Sequence, residues 1–207
     1  MTKPNLIIVG AGGHALSCID VIEQQNKFNI SGLVGLEKEI GSMVNGYKVI
    51  GTDSELPELA KTYTSALVSV GQIKNVNVRI SLFQKCVQAG FSMATVISPA
   101  AYVSPNAQIG EGTIIMHGVI LNSSTKVGNN CIINSRALIE HGACVGDNTH
   151  ISTGVIVNGD VTIGKNCFIG SGSVVKESIS IGSDCLIGMG QIIKINIDKK
   201  MTVTENI

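Results

Sequence analysis

The densest run of functional groups in the chain is Asn134-Ser135-Arg136-Ala137-Leu138-Ile139-Glu140-His141-Gly142. An imidazole titrates near neutrality and suits a general base, which makes His141 the first candidate for chemistry. A histidine on a solvated corner is the competing reading of the same residue. The second candidate is Gly10-Ala11-Gly12-Gly13-His14, which follows the apolar run Leu6-Ile7-Ile8-Val9 and precedes an amphipathic segment. Gly10, Gly12 and Ala15 match the G-x-G-x-x-A form, in which backbone N–H groups and a helix N-terminus face an anion. Two features argue against NAD. Only about ninety residues carry this pattern, roughly half of a full dinucleotide fold. Leu33-Val34-Gly35-Leu36 also lacks the acid expected after the second strand, although Glu37 is close. The glycine turn is read instead as a site for the phosphate or carboxylate of a sugar, with His14 facing the same crevice.

These residues sit on two different frameworks. From Ile97 to Ile193 every sixth residue is aliphatic, seventeen in a row without a break in phase. Four positions after each one the residue is usually small or β-branched, as at Thr113, Thr125, Cys131, Ala137 and Thr149. Gly110, Gly128, Gly146, Gly164 and Gly182 add a beat of eighteen. Neither a helix nor a plain strand carries a period of six. A chain that turns a corner every six residues and closes a triangular coil every eighteen does, with glycine expected where a corner needs positive φ. Outward positions are expected to be small or polar and of little consequence. On this lattice His141 follows the inward Ile139 by two, so it falls near a corner, with Ser123 on the preceding coil and Gly159 on the next.

Before residue 97 strands and helices alternate. Leu6–Val9, Ile30–Val34, Lys48–Ile50 and Ala66–Val70 read as strands. A helical pattern with Leu16, Ile19, Val21 and Ile22 apolar follows the glycine turn. A second, Val78–Ala89, is expected to turn Ile80, Leu82, Phe83, Cys86 and Val87 inward, and Gly90 to stop it. That alternation implies a small Rossmann-like parallel α/β sheet. The expected organisation is 1–96 as this α/β domain, 97–198 as the coil and 199–207 as a short tail.

Lys plus Arg equals Asp plus Glu at 15 each, which argues against nucleic acid or an anionic membrane surface as partner. No apolar run reaches membrane-spanning length and no cleavage signal precedes the first strand, so a cytoplasmic location is expected. The six cysteines form no CxxC, and Cys131, Cys167 and Cys185 fall on the small-residue position, which reads as reduced packing residues.

The six-residue period resembles the hexapeptide repeat of left-handed β-helix acyltransferases, and the left-handed sense comes from that resemblance. With Gly10–His14, an α/β domain of this size and Asn134…Ile139-Glu140-His141, the chain resembles the NeuD-type sugar acetyltransferases over nearly its whole length. That group O-acetylates sialic acids or N-acetylates nucleotide-linked 4-amino sugars for bacterial surface glycans. The resemblance implies a homotrimer with acetyl-CoA in the groove between subunits and no metal. It implies His141 as base, His150 and the Gly159 amide on the acetyl-CoA side, Gly188 along the CoA path, Asn134 near the sugar and the N-terminal domain holding a sugar or nucleotide-sugar acceptor.

Three departures stand out. Gly142 occupies the position where relatives often place a carboxylate, which leaves Glu140, a neighbouring subunit or water to orient the imidazole. Val34-Gly35 replaces an Asp pair near the nucleotide base. The usual C-terminal Gly-x-Pro-Ala stretch is missing. Glu140-His141-Gly142 tilts the reading slightly toward O-acetylation. Two rivals remain: a non-catalytic trimeric sugar-binding scaffold, and, ranked lower, a γ-type carbonic anhydrase whose zinc would need His117, His141 and His150 from more than one subunit.

Overall fold

The computed structural model describes residues 3–73 and 75–206; the expectations for the first two residues and for Ile207 of the tail lie outside them. In the N-terminal part, β1 (Asn5–Val9) leads through α1 (Gly13–Gln25) to β2 (Asn29–Gly35). A hairpin of β3 (Met43–Val44) and β4 (Tyr47–Thr52) and a short α2 (Leu56–Leu59) precede β5 (Ser65–Val68), α3 (Asn77–Ala89) and β6 (Ser92–Met93). The sheet order is β3-β4-β2-β1-β5-β6, parallel except for the β3–β4 pair. β1 lies in the middle, buried from Leu6 to Val9, which is why its sequence is an unbroken apolar run.

The helices keep the expected places with altered faces. β5 ends at Val68, before the predicted Val70. Gly90 closes α3 at φ 96°, as a left-handed cap should. Val87, expected inward, is 49% exposed, and Leu16 of α1 is also exposed. The fully buried residue on the first turn of α3 is a charged one, Arg79.

From Val96 onward the chain winds into a left-handed parallel β-helix of triangular section, built of two-residue rungs. Seven rungs form one face, six the second and five the third, every pair parallel and all but the last, Leu186↔Thr202, eighteen residues apart, as in Ile115↔Ile133 and Leu121↔Ile139. The six-residue aliphatics from Ile115 to Ile193 fill the interior, while Ile97, Val103 and Ile109 at the first coil are half-buried. The small positions are buried too. Their hydroxyls are satisfied by the neighbouring coil: Thr113 Oγ1 donates to Gly128 O at 2.7 Å and accepts from Cys131 N at 2.9 Å. Thr202–Val203, in the segment expected as a tail, pairs in parallel with Leu186–Ile187 and continues a face.

The eighteen-residue glycines have a different cause from the one expected. None of them has positive φ. The left-handed corner comes three residues after each inward aliphatic, from Gly112 to Gly190 without a gap, and is filled by Gly, Asn, Asp, Ser and Arg136. Gly110, Gly164 and Gly182 are needed for space: a Cβ there would fall 2.5 Å from backbone of the next coil.

The three faces differ outside as well. The face bearing Ile114, Ile132, His150, Phe168 and Leu186 outward is covered by the α/β domain, so we call it the docked face. Gln72 Nε2 donates to Cys167 O at 3.1 Å, and Asp20 of α1 meets His117 Nε2 at 2.8 Å. The next face turns Tyr102, Ile120, Leu138, Ile156, Val174 and Ile192 outward, an uninterrupted apolar ladder with Tyr102 56% and Ile192 43% exposed. The third turns out Gln108, Lys126, Cys144, Thr162 and Ser180. Only this polar face matches the expectation that outward positions carry little consequence.

Candidate functional site

His141 stands at the corner between the apolar and polar faces, after the rung Leu138–Ile139 and before Cys144–Val145. The lattice placement holds: Gly142 N donates to Ser123 O at 3.1 Å and Asp160 N donates to His141 O at 2.9 Å. The exposed imidazole lies over Gly159. A Cβ at 159 would fall 2.7 Å from His141 Cε1 and 2.8 Å from Nε2, so only glycine leaves the ring this seat. The room that the sequence suggested for a substrate is thus taken by the ring itself. Gly159 N–H donates to no acceptor among the described residues, whereas its carbonyl accepts from Ser178 N at 2.9 Å. A free amide beside an imidazole is the pairing that acyl transfer needs for an oxyanion and a proton.

Glu140 is held away from that ring. Its Oε2 accepts from Asn122 Nδ2 at 2.8 Å and, more loosely, from His141 N at 3.4 Å. Neither ring nitrogen of His141 has a hydrogen-bond partner among the described residues. Glu140, His141, Gly159, Asp160 and Glu177 line one open cleft of about 350 Å³.

His150 is nine residues on and sits in the opposite setting. It is buried on the docked face, with its ring edge against Phe168 at a centroid distance of 5.2 Å. Nδ1 lies 2.7 Å from Gln72 O, an acceptor only, so Nδ1 carries the proton and Nε2 faces Asn134 Nδ2 at 3.3 Å. Burial lowers its pKa to about 4; the Gln72 carbonyl opposes that and the Arg79 charge adds to it. Asn134, expected near the sugar, therefore pairs with His150 rather than with His141. Gly188 is at the far end of the coil, where its N–H donates to Val203 O at 2.7 Å.

The glycine turn borders an apolar cavity of about 360 Å³ at the C-terminal ends of β1, β2 and β5. Gly10, Ala11 and Gly12 form one wall, Val34, Gly35 and Leu36 another, with Glu39 and Asp53 at the rim. That is where open α/β sheets bind ligands. Gly10 needs its φ of 120°, since a Cβ would strike Val70 and Ser69 at under 3 Å. Gly12 caps α1 with open space around it, and Gly13 begins the helix. His14 does not line this cavity. Its ring is half-buried, and burial first, then the charges of Arg79 and His150, lower its pKa to about 4.

Sequence reading missed Arg79. The guanidinium is fully buried and donates to Val68 O at 2.8 Å, Val70 O at 3.0 Å and Asn130 O at 3.1 Å. It ties the cavity wall to the coil. Only the spacing to carbonyls far along the chain reveals this, and no local pattern signals it.

Within one chain the two candidate sites do not meet. The cavity belongs to the domain on the docked face, and His141 occupies the corner opposite that face.

Comparison with known families matches residues 5–86 to the PglD N-terminal domain, and residues 124–158 and 160–194 to the hexapeptide repeat of succinyl-transferase. The chain carries a PglD-type domain on a hexapeptide-repeat prism. This agrees with the NeuD-type resemblance. No curated protein matches at a significant level. Among solved structures, a histidine-to-asparagine mutant of perosamine N-acetyltransferase from Caulobacter crescentus, in complex with CoA and GDP-perosamine, is 27% identical. The match covers 97% of this chain and 93% of that one, with a TM-score of 0.90. The acetyltransferase domain of PglB from Neisseria gonorrhoeae, in complex with acetyl coenzyme A, is 28% identical over 97% and 96% of the two chains, at 0.88. WeeI from Acinetobacter baumannii, 21% identical over 98% and 97% at 0.84, shares the fold. Both parts of the fold, the α/β domain and the prism, are thus matched together in each.

Proposed function

We propose that the chain transfers an acetyl group from acetyl-CoA to the amine of a nucleotide-linked amino sugar, with His141 as general base. The observation that carries the reading is the His141 imidazole seated on Gly159, beside a free backbone N–H, at the edge of an uncovered apolar face. Acetyl-CoA supplies the activated acyl group. As the amine attacks the thioester carbonyl, His141 takes the proton lost by the acceptor nitrogen; the C–S bond then breaks, and that proton goes to the departing CoA thiolate. The Gly159 N–H offers a hydrogen bond to the oxyanion, a contribution of about 3–4 kcal/mol for a well-placed donor.

The GDP-perosamine bound with CoA by the perosamine N-acetyltransferase supports an amine and a nucleotide over the O-acetylation that Glu140-His141-Gly142 suggested. The apolar cavity behind Gly10–Gly12 suits a nucleobase and sugar, with the glycine turn at the phosphates. Because that cavity and His141 lie on opposite sides of the triangle, the acceptor held by one copy is delivered to His141 of another. The apolar ladder from Tyr102 to Ile192 supplies the contact: it runs beside the His141 corner, and packing it against like faces yields a closed trimer. A role in bacterial surface glycan assembly follows from such a substrate. The scaffold reading keeps the trimer and gives up the chemistry.

Thiol release from acetyl-CoA tests this across UDP-, GDP- and dTDP-linked 4-amino sugars and CMP-linked or free sialic acids. Release with one amino-sugar class, abolished in His141→Ala, is the expected result. No release with any acceptor, together with no thermal stabilisation by CoA, would favour the scaffold.

A further inference from the structure

The His141 ring needs a group to fix which nitrogen carries its proton, and neither of its sequence neighbours serves. Gly142 has no side chain, and the Glu140 carboxylate is engaged by Asn122. The next coil offers a substitute. Gly142 and Asp160 are the left-handed corner residues of successive coils, at φ 70° and 58°. A Cβ at position 142 would fall 2.1 Å from Asp160 Oδ1. The carboxylate thus fills the space that a side chain at 142 would have taken. Asp160 directly follows Gly159, on which the ring lies, lines the same cleft, and its carboxylate has no hydrogen-bond partner among the described residues.

We propose that Asp160 is the positioning residue for His141, a carboxylate placed on the neighbouring coil because position 142 is glycine. Rotation about its Cα–Cβ bond carries the carboxylate from above Gly142 to the ring. There it accepts the N–H of one imidazole nitrogen and leaves the other free to take the acceptor's proton. In the free chain the contact is open; catalytic hydrogen bonds commonly tighten only when substrate is bound. Gly142 and Asp160 then form a matched pair. The glycine makes the room, and the aspartate uses it.

This inference rests on His141 being the base, and the test separates the two claims. Asp160→Asn keeps the shape and tolerates the left-handed corner while removing the negative charge. Turnover should fall about tenfold, with KM for both substrates changing less than twofold and thermal stability unchanged. The exchange variant Gly142→Asp with Asp160→Gly should recover most of the lost turnover. Asp184→Asn, at a left-handed corner outside this cleft, should keep it. Independently of turnover, the nitrogen-15 signals of the His141 ring, assigned by their loss in His141→Ala, should show one dominant tautomer in the native chain and a mixture in Asp160→Asn. Unchanged turnover and an unchanged tautomer ratio in Asp160→Asn would overturn the proposal, as would an equal loss in Asp184→Asn. A native chain inactive with every acceptor would overturn the function, and the ring signals would still decide the role of Asp160.

Discussion

His141 and His150 are nine residues apart on one repeating lattice, and the fold makes them opposites. His141 is at an open corner, over a glycine, with both ring nitrogens uncommitted. His150 is 7% exposed, its Nδ1 proton is given to Gln72 O, and burial keeps it neutral. On the proposed function the same side chain is therefore a reagent in one place, while in the other its ring is committed to its neighbours. What decides is the register within the six-residue repeat. Two residues after the inward aliphatic is a corner facing outward; one residue before it is a rung, here under the docked domain. The lesson is that a histidine in a repeat protein is read by its phase before its neighbours.

The contrast is broken most strongly by removing the open histidine. His141→Ala should lower kcat by roughly a hundred- to ten-thousand-fold, the span of general base catalysis, with an unchanged melting curve. Gly159→Ala should come next. The new methyl meets the imidazole at 2.7 Å and displaces it, so turnover falls while the fold, judged by circular dichroism, persists.

On the buried side the effects appear in stability. Arg79→Leu removes a fully buried guanidinium and leaves the carbonyls of Val68, Val70 and Asn130 without their donor. A loss of about 3 kcal/mol in urea unfolding is expected. The pH dependence is smaller and has a definite sign. The folded pKa of His150 is depressed to about 4 from 6.5, so the unfolded chain binds the proton more readily. The stability that His150 contributes is full above pH 6.5 and declines as pH falls toward 4. At pH 4.5 that is a loss of about 2.5 kcal/mol, and His150→Phe should flatten this part of the profile in thermal melts. The least effect is expected from the polar face. Thr162→Lys should leave size and activity unchanged, whereas Leu138→Glu on the apolar face should dissociate the assembly and abolish turnover, both read by light scattering and thiol release.

The prism was legible because its rule is local and redundant. Each inward aliphatic from Ile115 to Ile193 is buried, as an unbroken period of six requires. The corner carrying His141 and Gly159 followed from the same counting. What the sequence hid depends on partners far along the chain. Arg79 reads as a solvated helix residue until Val68, Val70 and Asn130 are placed around it. His14 belongs by motif to the glycine turn, but it does not line the cavity there. The apolar ladder had a signal, an apolar residue one position before the inward one and repeated every eighteen, as at Ile120, Leu138 and Ile156. It was masked by the neighbouring faces, where the same position is covered by the domain or is polar.

Sharing of one active site between copies is the claim most directly tested by complementation. One chain carries His141→Ala. The other carries Gly12→Phe, which fills the cavity from a position with ordinary φ and nothing within 4 Å. Each should be inactive alone. Refolded together into mixed assemblies, they should recover acetyl transfer, because an intact cavity then faces an intact His141. Mixed assemblies that form and remain inactive would contradict the account.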